Sequence, residues 1–196
     1  MADSVTNPIQ QVKQWLDQAW AAGVKEPTAM TLATATRSGK PSARMVLLKG
    51  IDSRGFSFFT NYLSRKGREL AANSHAALVL YWPALDRQIR ITGRVSKLTA
   101  AESDEYFNSR PAGSRFSAAV SPQSTVIKSR AELEQQLAKL KARYPDAAPP
   151  RPKHWGGYLV RPVEIEFWQQ GEHRLHDRIR YRRVRGDTWK LDRLAP

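Results

Sequence analysis

Apolar positions recur at helical spacing once near the start of the chain and then switch to a strand rhythm. Ile9, Val12, Leu16, Ala19 and Trp20 form one stripe, which Trp15 widens. Asn7 is a good capping residue, Pro8 suits a first helical position, and Gly23 suits a helix end, so the pattern predicts a helix over these residues. Strand signals follow at Ala29–Ala35, Ala43–Ile51 and Phe56–Thr60, separated by the turn residues Ser38-Gly39 and Asp52–Gly55. A short helix is expected over Ser64–Asn73, with Ser64 as its cap, before strands resume at Ala76–Trp82 and Gln88–Leu98. In the latter, Ile89, Ile91, Gly93 and Val95 alternate with Arg90, Thr92, Arg94 and Ser96, so one face is buried and the other wet.

Thr99-x-x-Glu102 and Ser129-x-x-Glu132 are capping boxes that open two helices. The second is expected to run to about Tyr144, with Leu133, Leu137 and Leu140 on one side. Pro145–Pro152 is a stiff loop. The last third reads as strands over Gly157–Trp168, Arg174–Arg185 and Thr188–Leu191, with turns at Gln169–Glu172 and Gly186-Asp187. No internal repeat is present. Six or more strands with inserted helices predict a closed or nearly closed antiparallel barrel with helical decoration. The βαβ rhythm and the glycine-rich fingerprints of dinucleotide and P-loop folds are missing.

Composition narrows the chemistry. The 196 residues suit one domain with a real core. The absence of Cys excludes disulfides, thiolate metal sites, iron–sulfur clusters and a Cys nucleophile, and four scattered His make a poor metal box. With no signal-like start and no apolar run of about 20 residues, a soluble cytoplasmic protein with no membrane partner is the expectation. Thirty-two basic residues against 18 acidic ones give a net charge of +14, which points to a polyanionic partner or to phosphorylated ligands.

Four segments carry candidate chemistry. Ser64-Arg65-Lys66 puts two cations at a helix start, where free amides and the helix dipole favour a phosphate. In Arg44–Lys49, strand parity puts Arg44, Val46 and Leu48 on one face and Met45, Leu47 and Lys49 on the other. The two cations then touch different parts of a long ligand unless the strand bends. In Glu172–Arg178, an extended chain puts Arg174, His176 and Arg178 on one face, where a bound anion relieves their repulsion, while Asp177 points the other way. Tyr106 and Arg110 share a helix face that Pro111 ends, leaving Ser114 in or beyond the turn; all three suit phosphate oxygens. Trp155 and Trp168 suit either core packing or a planar ligand, and His75, His154 and His173 read as surface or structural.

The segments RMVLLK (44–49), FFTN (from Phe58), SRKGREL (64–70), YFNSRP (106–111), SPQS (121–124), FWQQGEHRLHDR (167–178) and the ending WKLDRLAP together resemble pyridoxine/pyridoxamine 5′-phosphate oxidases, from about Pro27 to the C-terminus. The resemblance implies a mainly β fold with α: an antiparallel, Greek-key-like, FMN-binding split β-barrel with peripheral helices. It implies residues 1–26 as an N-terminal segment and helix, residues 27–196 as the oxidase domain, and a homodimer with sites at the subunit interface. It further implies oxidation of pyridoxine 5′-phosphate or pyridoxamine 5′-phosphate to pyridoxal 5′-phosphate. FMN takes a hydride from C4′, and dioxygen then reoxidises the flavin to give hydrogen peroxide. Carried over by motif, FMN contacts are Arg44, Met45, Val46, Leu47, Leu48, Lys49, Phe59, Thr60, Arg65, Lys66, Gln88, Gln123, Ser124, Trp168 and Arg178. Substrate contacts are Lys49, Tyr106, Arg110, Ser114, Arg174, Leu175 and His176, with Arg174 and His176 as the catalytic pair; no metal is implied.

Two departures stand out. Phe59 replaces the Tyr of many relatives, and no Arg or Tyr precedes Pro8 to supply the family's RxxY-type segment, so substrate closure is where an effect is expected. The rival readings are another split-barrel flavin oxidoreductase and a basic nucleic-acid-binding protein. The Tyr106, Arg110 and Ser114 set argues against the first. Cations assigned to two small phosphates argue against the second, so no nucleic acid is expected.

Overall fold

The computed structural model describes residues 7–196; the residues bearing on the RxxY-type segment, before Asn7, lie outside the described residues. Helix α1 (Pro8–Ala21) is capped by the Asn7 side chain, which accepts a hydrogen bond from the Ile9 amide. Strands β1 (Ala29–Ala35), β2 (Pro41–Leu47), β3 (Gly50–Asp52) and β4 (Gly55–Asn61) lead into helix α2 (Arg65–Ala72). Strands β5 (His75–Trp82) and β6 (Arg87–Lys97) are followed by helices α3 (Ala100–Ser109), α4 (Ala112–Val120) and α5 (Arg130–Arg143). The chain ends in β7 (Trp155–Gln169), β8 (Asp177–Arg185) and β9 (Thr188–Arg193). Among the described residues no helix is long and apolar enough to cross a membrane.

All nine strands join one antiparallel sheet in the order β2-β1-β5-β6-β7-β4-β3, with β8 and β9 continuing from β7. The two ends of that path, β2 and β3, are consecutive in the chain. Leu48 and Lys49 bridge them: the Leu48 amide donates to Thr28 O and the Lys49 amide to Ser57 O. The expected single strand over 43–51 is therefore two strands with a break at these residues. Leu48 turns into the core there, whereas Lys49 stays exposed.

Alternation decides what the sheet encloses. Met30, Leu32, Leu78, Leu80, Ile89, Ile91, Phe56 and Phe58 are fully buried and fill the barrel. Each such side chain withdrawn from water contributes about 1.5–3 kcal/mol. Strand β7 is buried almost throughout its first half because β4 and β6 flank it. Helix α1 adds Val12 and Leu16 to the same core, and the Trp15 ring meets Phe167 edge-on at 5.0 Å. The Thr99 box is complete, with both reciprocal hydrogen bonds formed. The Ser129 hydroxyl caps α5 by accepting from the Glu132 amide. Helix α4 is not foreseen by the pattern, because AGSRFSAAV carries almost no apolar stripe and buries only Phe116.

Candidate functional site

A cavity of about 580 Å³ opens where β2, β4, the start of α2 and the α3–α4 corner meet. That size is ordinary for a small-molecule site. Arg44, Met45, Val46, Leu47 and Lys49 line it from β2 and the break, Phe59 and Thr60 from β4, and Lys66 from α2. The break resolves the parity problem, since Arg44 and Lys49 both reach the cavity from a chain that bends between them. Leu48 does not line it; it is 3% exposed in the core. Tyr106, Arg110 and Ser114 line the far wall with Gln123 and Trp155.

One of these placements corrects the sequence reading. Tyr106 and Arg110 do not share a helix face, because α3 ends at Ser109 and Arg110 is extended, with φ −75° and ψ 148°. Ser114 lies beyond the turn, within the first turn of α4. The side chains converge on the cavity all the same.

Four cations, Arg44, Lys49, Lys66 and Arg110, line the cavity, and no carboxylate does. Lys66 is the most enclosed. Its Nζ donates to Gln123 Oε1 at 2.9 Å and to Thr60 Oγ1 and Ser64 Oγ at 3.2 Å, all neutral acceptors. Burial, reinforced by nearby Arg44, pushes its ammonium down to about 8 despite the opposing pull of Glu69. Arg110 Nη1 is buried with no hydrogen-bond partner among the described residues. Unpaired buried cations of this kind are costly without an anion beside them.

Glu69 sits behind the cavity wall and is 6% exposed. It accepts from Thr34 Oγ1 at 2.5 Å, Ser42 Oγ at 2.6 Å, Arg44 Nη2 at 3.3 Å and Arg65 Nε at 2.9 Å. Burial works to raise its carboxyl, but hydrogen bonds from Ser42, Thr34, Arg65 and Arg44 hold it at about 2. Arg65 thus faces Glu69 and does not line the cavity, whereas its neighbour Lys66 does. Ser124, at φ 69°, also lies outside the lining.

Gln88, Trp168 and Arg178 sit side by side across β6, β7 and β8 and form a second cluster, none of which lines the cavity. The Arg178 fork grips Glu166, with Nε at 2.9 Å and Nη2 at 2.8 Å from Oε1, while Arg90 Nη1 reaches Oε2 at 3.2 Å. The expected strand from Arg174 begins only at Asp177, so Arg174, His176 and Arg178 do not form one strand face. The reason is local: Glu172–Arg174 is a 3₁₀ turn, and His173 and Arg174 take left-handed φ of 51° and 65°. Gly171 lets the turn close, since a Cβ there would come within 2.0 Å of Leu175 O. Arg174 and Leu175 stay exposed, while the His176 ring packs 4.7 Å from Trp168 and accepts from the Gly171 amide through Nδ1 at 3.3 Å.

Sequence reasoning missed Asn61, Gly113, Ser117 and Ala118 in the lining, and the buried carboxylates Glu69 and Glu166 behind the cations. Glu166 left a readable signal, a charge in the middle of the apolar run VEIEFW. The α4 residues left none.

A family model described as Pyridoxamine 5'-phosphate oxidase matches residues 16–144, and one described as Pyridoxine 5'-phosphate oxidase C-terminal dimerisation region matches residues 155–196. The chain is 58% identical over 198 residues to the Pyridoxine/pyridoxamine 5'-phosphate oxidase of Salinibacter ruber, covering 99% of this chain and 92% of that one. It is 57% identical to that of Nostoc punctiforme, over 97% and 89% of the two chains. The crystal structure of PhzG from Burkholderia lata 383, in complex with tetrahydrophenazine-1-carboxylic acid, superposes with TM-score 0.94 at 39% identity, covering 99% of this chain and 95% of that one. A pyridoxamine 5'-phosphate oxidase-related, FMN binding protein from Nostoc punctiforme PCC 73102 shares the fold, with TM-score 0.76 at 17% identity over 95% and 96% of the chains.

Proposed function

The chain belongs to the pyridoxamine 5′-phosphate oxidase family, and we propose that it oxidises pyridoxine 5′-phosphate and pyridoxamine 5′-phosphate to pyridoxal 5′-phosphate, with FMN as acceptor and dioxygen giving hydrogen peroxide. The observation that carries this is the cavity lined, among the described residues, by four cations and no carboxylate, with a buried Arg110 nitrogen left unpartnered. Two phosphate groups, one from FMN and one from substrate, would satisfy those cations.

The residues present fit FMN. Lys66 and Arg44 would hold its phosphate near the start of α2, where neutral acceptors already orient Nζ. Apolar Met45, Val46 and Leu47 offer a surface for a planar ring beside it. When bound, FMN supplies the two-electron chemistry that these side chains lack. Lys49, Tyr106, Arg110 and Ser114 would take the substrate phosphate and so fix the reacting carbon at a defined distance from the acceptor. Arg174, Leu175 and His176 would close over the substrate from a second subunit, since in a single chain their turn does not line the cavity. The match of residues 155–196 to a dimerisation region supports that homodimer. Arg174 would then stabilise developing charge, and His176 would hold or move a proton at its free ring nitrogen.

The test is an aerobic assay on purified protein, following pyridoxal 5′-phosphate and peroxide together for each substrate. A yellow protein that releases FMN on denaturation and forms both products in equal amounts is expected. A protein that binds no FMN, or that turns over neither phosphate while oxidising tetrahydrophenazine-1-carboxylic acid, overturns the reading.

A further inference from the structure

We propose that Trp155 and Phe59 are positioning residues: they aim Arg110 and Tyr106 at the substrate phosphate by ring stacking alone, and so leave the hydrogen-bonding capacity of both unspent. This rests on the oxidase reading above.

Several enclosed arginines spend donors on carboxylates: Arg44 is paired with Glu69, Arg178 with Glu166, Arg151 with Asp104 and Arg180 with Asp192. Arg115 has no carboxylate and lies over the Phe107 ring, but it still donates to Pro149 O. Arg110 goes further. Among the described residues its side chain makes no hydrogen bond, and its Nη1 is buried without a partner. What holds it is the Trp155 ring, whose centroid lies 4.6 Å from the guanidinium carbon, with Phe107 at 5.8 Å. Tyr106 is held in the same manner. Its ring stacks on Phe59 with centroids 3.8 Å apart and planes 17° from parallel, and its hydroxyl has no hydrogen bond among the described residues.

The two platforms are themselves fixed. Trp155 is 6% exposed, its carbonyl accepts from Arg151 Nη1 at 2.8 Å, and Phe107 meets its ring edge-on at 5.1 Å. Phe59 pairs with Gly157 across β4 and β7, and a Cβ at Gly157 would come within 2.7 Å of the Phe59 ring. Glycine there makes room for the ring.

Ring stacking suits this task for an electrostatic reason. A carboxylate that oriented Arg110 would neutralise it and would also repel an incoming phosphate. An aromatic face attracts a guanidinium through its quadrupole, most strongly where water is excluded, and offers no negative charge and no competing acceptor. The buried, unsatisfied nitrogen is then costly in the free protein, and a phosphate oxygen removes that cost. The arrangement thereby favours the phosphate ester over the free alcohol or amine.

Steady-state kinetics with pyridoxamine 5′-phosphate, together with an FMN titration, test this on the wild type, Trp155→Leu and Trp155→Phe. Trp155→Leu is expected to raise KM about tenfold, while kcat changes less than about threefold and FMN affinity stays the same. Trp155→Phe, which keeps a ring face, is expected to return KM to within about threefold of wild type. A KM that moves less than about twofold in Trp155→Leu, or a fall of kcat and FMN affinity alongside the raised KM in both variants, overturns the proposal. Should Trp155→Leu fail to fold by circular dichroism, Phe59→Leu decides. A raised KM supports the proposal and an unchanged one overturns it. Wild-type protein that oxidises neither phosphate would instead sink the oxidase reading, so the two failures are distinguishable.

Discussion

Lys66 holds its charge against its surroundings. Burial pushes its ammonium down to about 8, so the free protein begins to shed that proton just above neutrality. A phosphate beside Nζ favours the charged form, so binding above pH 8 draws a proton from solvent. Calorimetric titration of FMN into apoprotein at about pH 8.5, in buffers of different ionisation enthalpy, is expected to show net proton uptake and an affinity that falls as pH rises. Lys66→Met is expected to remove both effects. Glu69 works in the opposite sense. Its folded carboxyl sits at about 2, below the ordinary 4.5, so its contribution to stability is present above pH 4.5 and lost as pH falls toward 2. Urea unfolding of Glu69→Gln at neutral pH is expected to show a loss of about 3 kcal/mol, shrinking in acid. At this scale the sequence was partly readable. Ser64-Arg65-Lys66 announced a cationic helix start, and Arg65 and Glu69 are an i,i+4 pair open to reading from spacing, but the burial of that carboxylate against Thr34 and Ser42 of β1 and β2 is a non-local fact.

Elements with a buried face were legible to within a residue or two. The expected bounds of β1, β5 and β6 nearly coincide with those observed, because alternation survives wherever one face meets the core. Legibility failed where backbone chemistry overrode side-chain rhythm. Arg174, His176 and Arg178 alternate like a strand, yet consecutive left-handed residues at His173 and Arg174 bend the chain into a turn. Non-glycine residues there carry on the order of 1–2 kcal/mol of strain each. His173→Gly relieves that strain at the cost of a looser unfolded chain. We therefore expect a melting temperature equal to or above wild type by calorimetry, together with reduced turnover as Arg174 loses its fixed direction. Helix α4 was illegible for the opposite reason: its cavity-facing residues are small and polar, so it has no apolar stripe to read.

At the scale of the molecule, the net charge of +14 admits a polyanionic partner as well as phosphorylated ligands, and the run Arg180–Arg185 contributes four of its cations. The structure pairs most of that run internally. Arg180 and Arg182 share Asp192, and Arg183 meets Asp187 and lies over the Trp189 ring. Four further cations, Arg44, Lys49, Lys66 and Arg110, line the cavity. The separation of the cavity from the Trp168–His176 cluster gives the sharpest test of a site shared between subunits. Arg110→Ala and His176→Ala should each be nearly inactive alone. Co-expressed with two affinity tags and purified as hybrids, each dimer would hold one intact site, and about half of the wild-type activity per dimer is expected to return. Absence of recovery would place both residues in one subunit's own site.

Strand β7 joins β4 to β6 and also carries β8, yet it follows both partners only after the long helical insertion of α3 to α5. During synthesis, roughly 70 residues separate the end of β6 from the end of β7, or about 4–14 s at ribosomal speed. Throughout that interval β4 and β6 wait with open edges, which makes the nascent chain a template for pairing with its neighbours. The same strand that completes the barrel therefore also closes both edges, and a ribosome stalled before Trp155 would leave them unpaired.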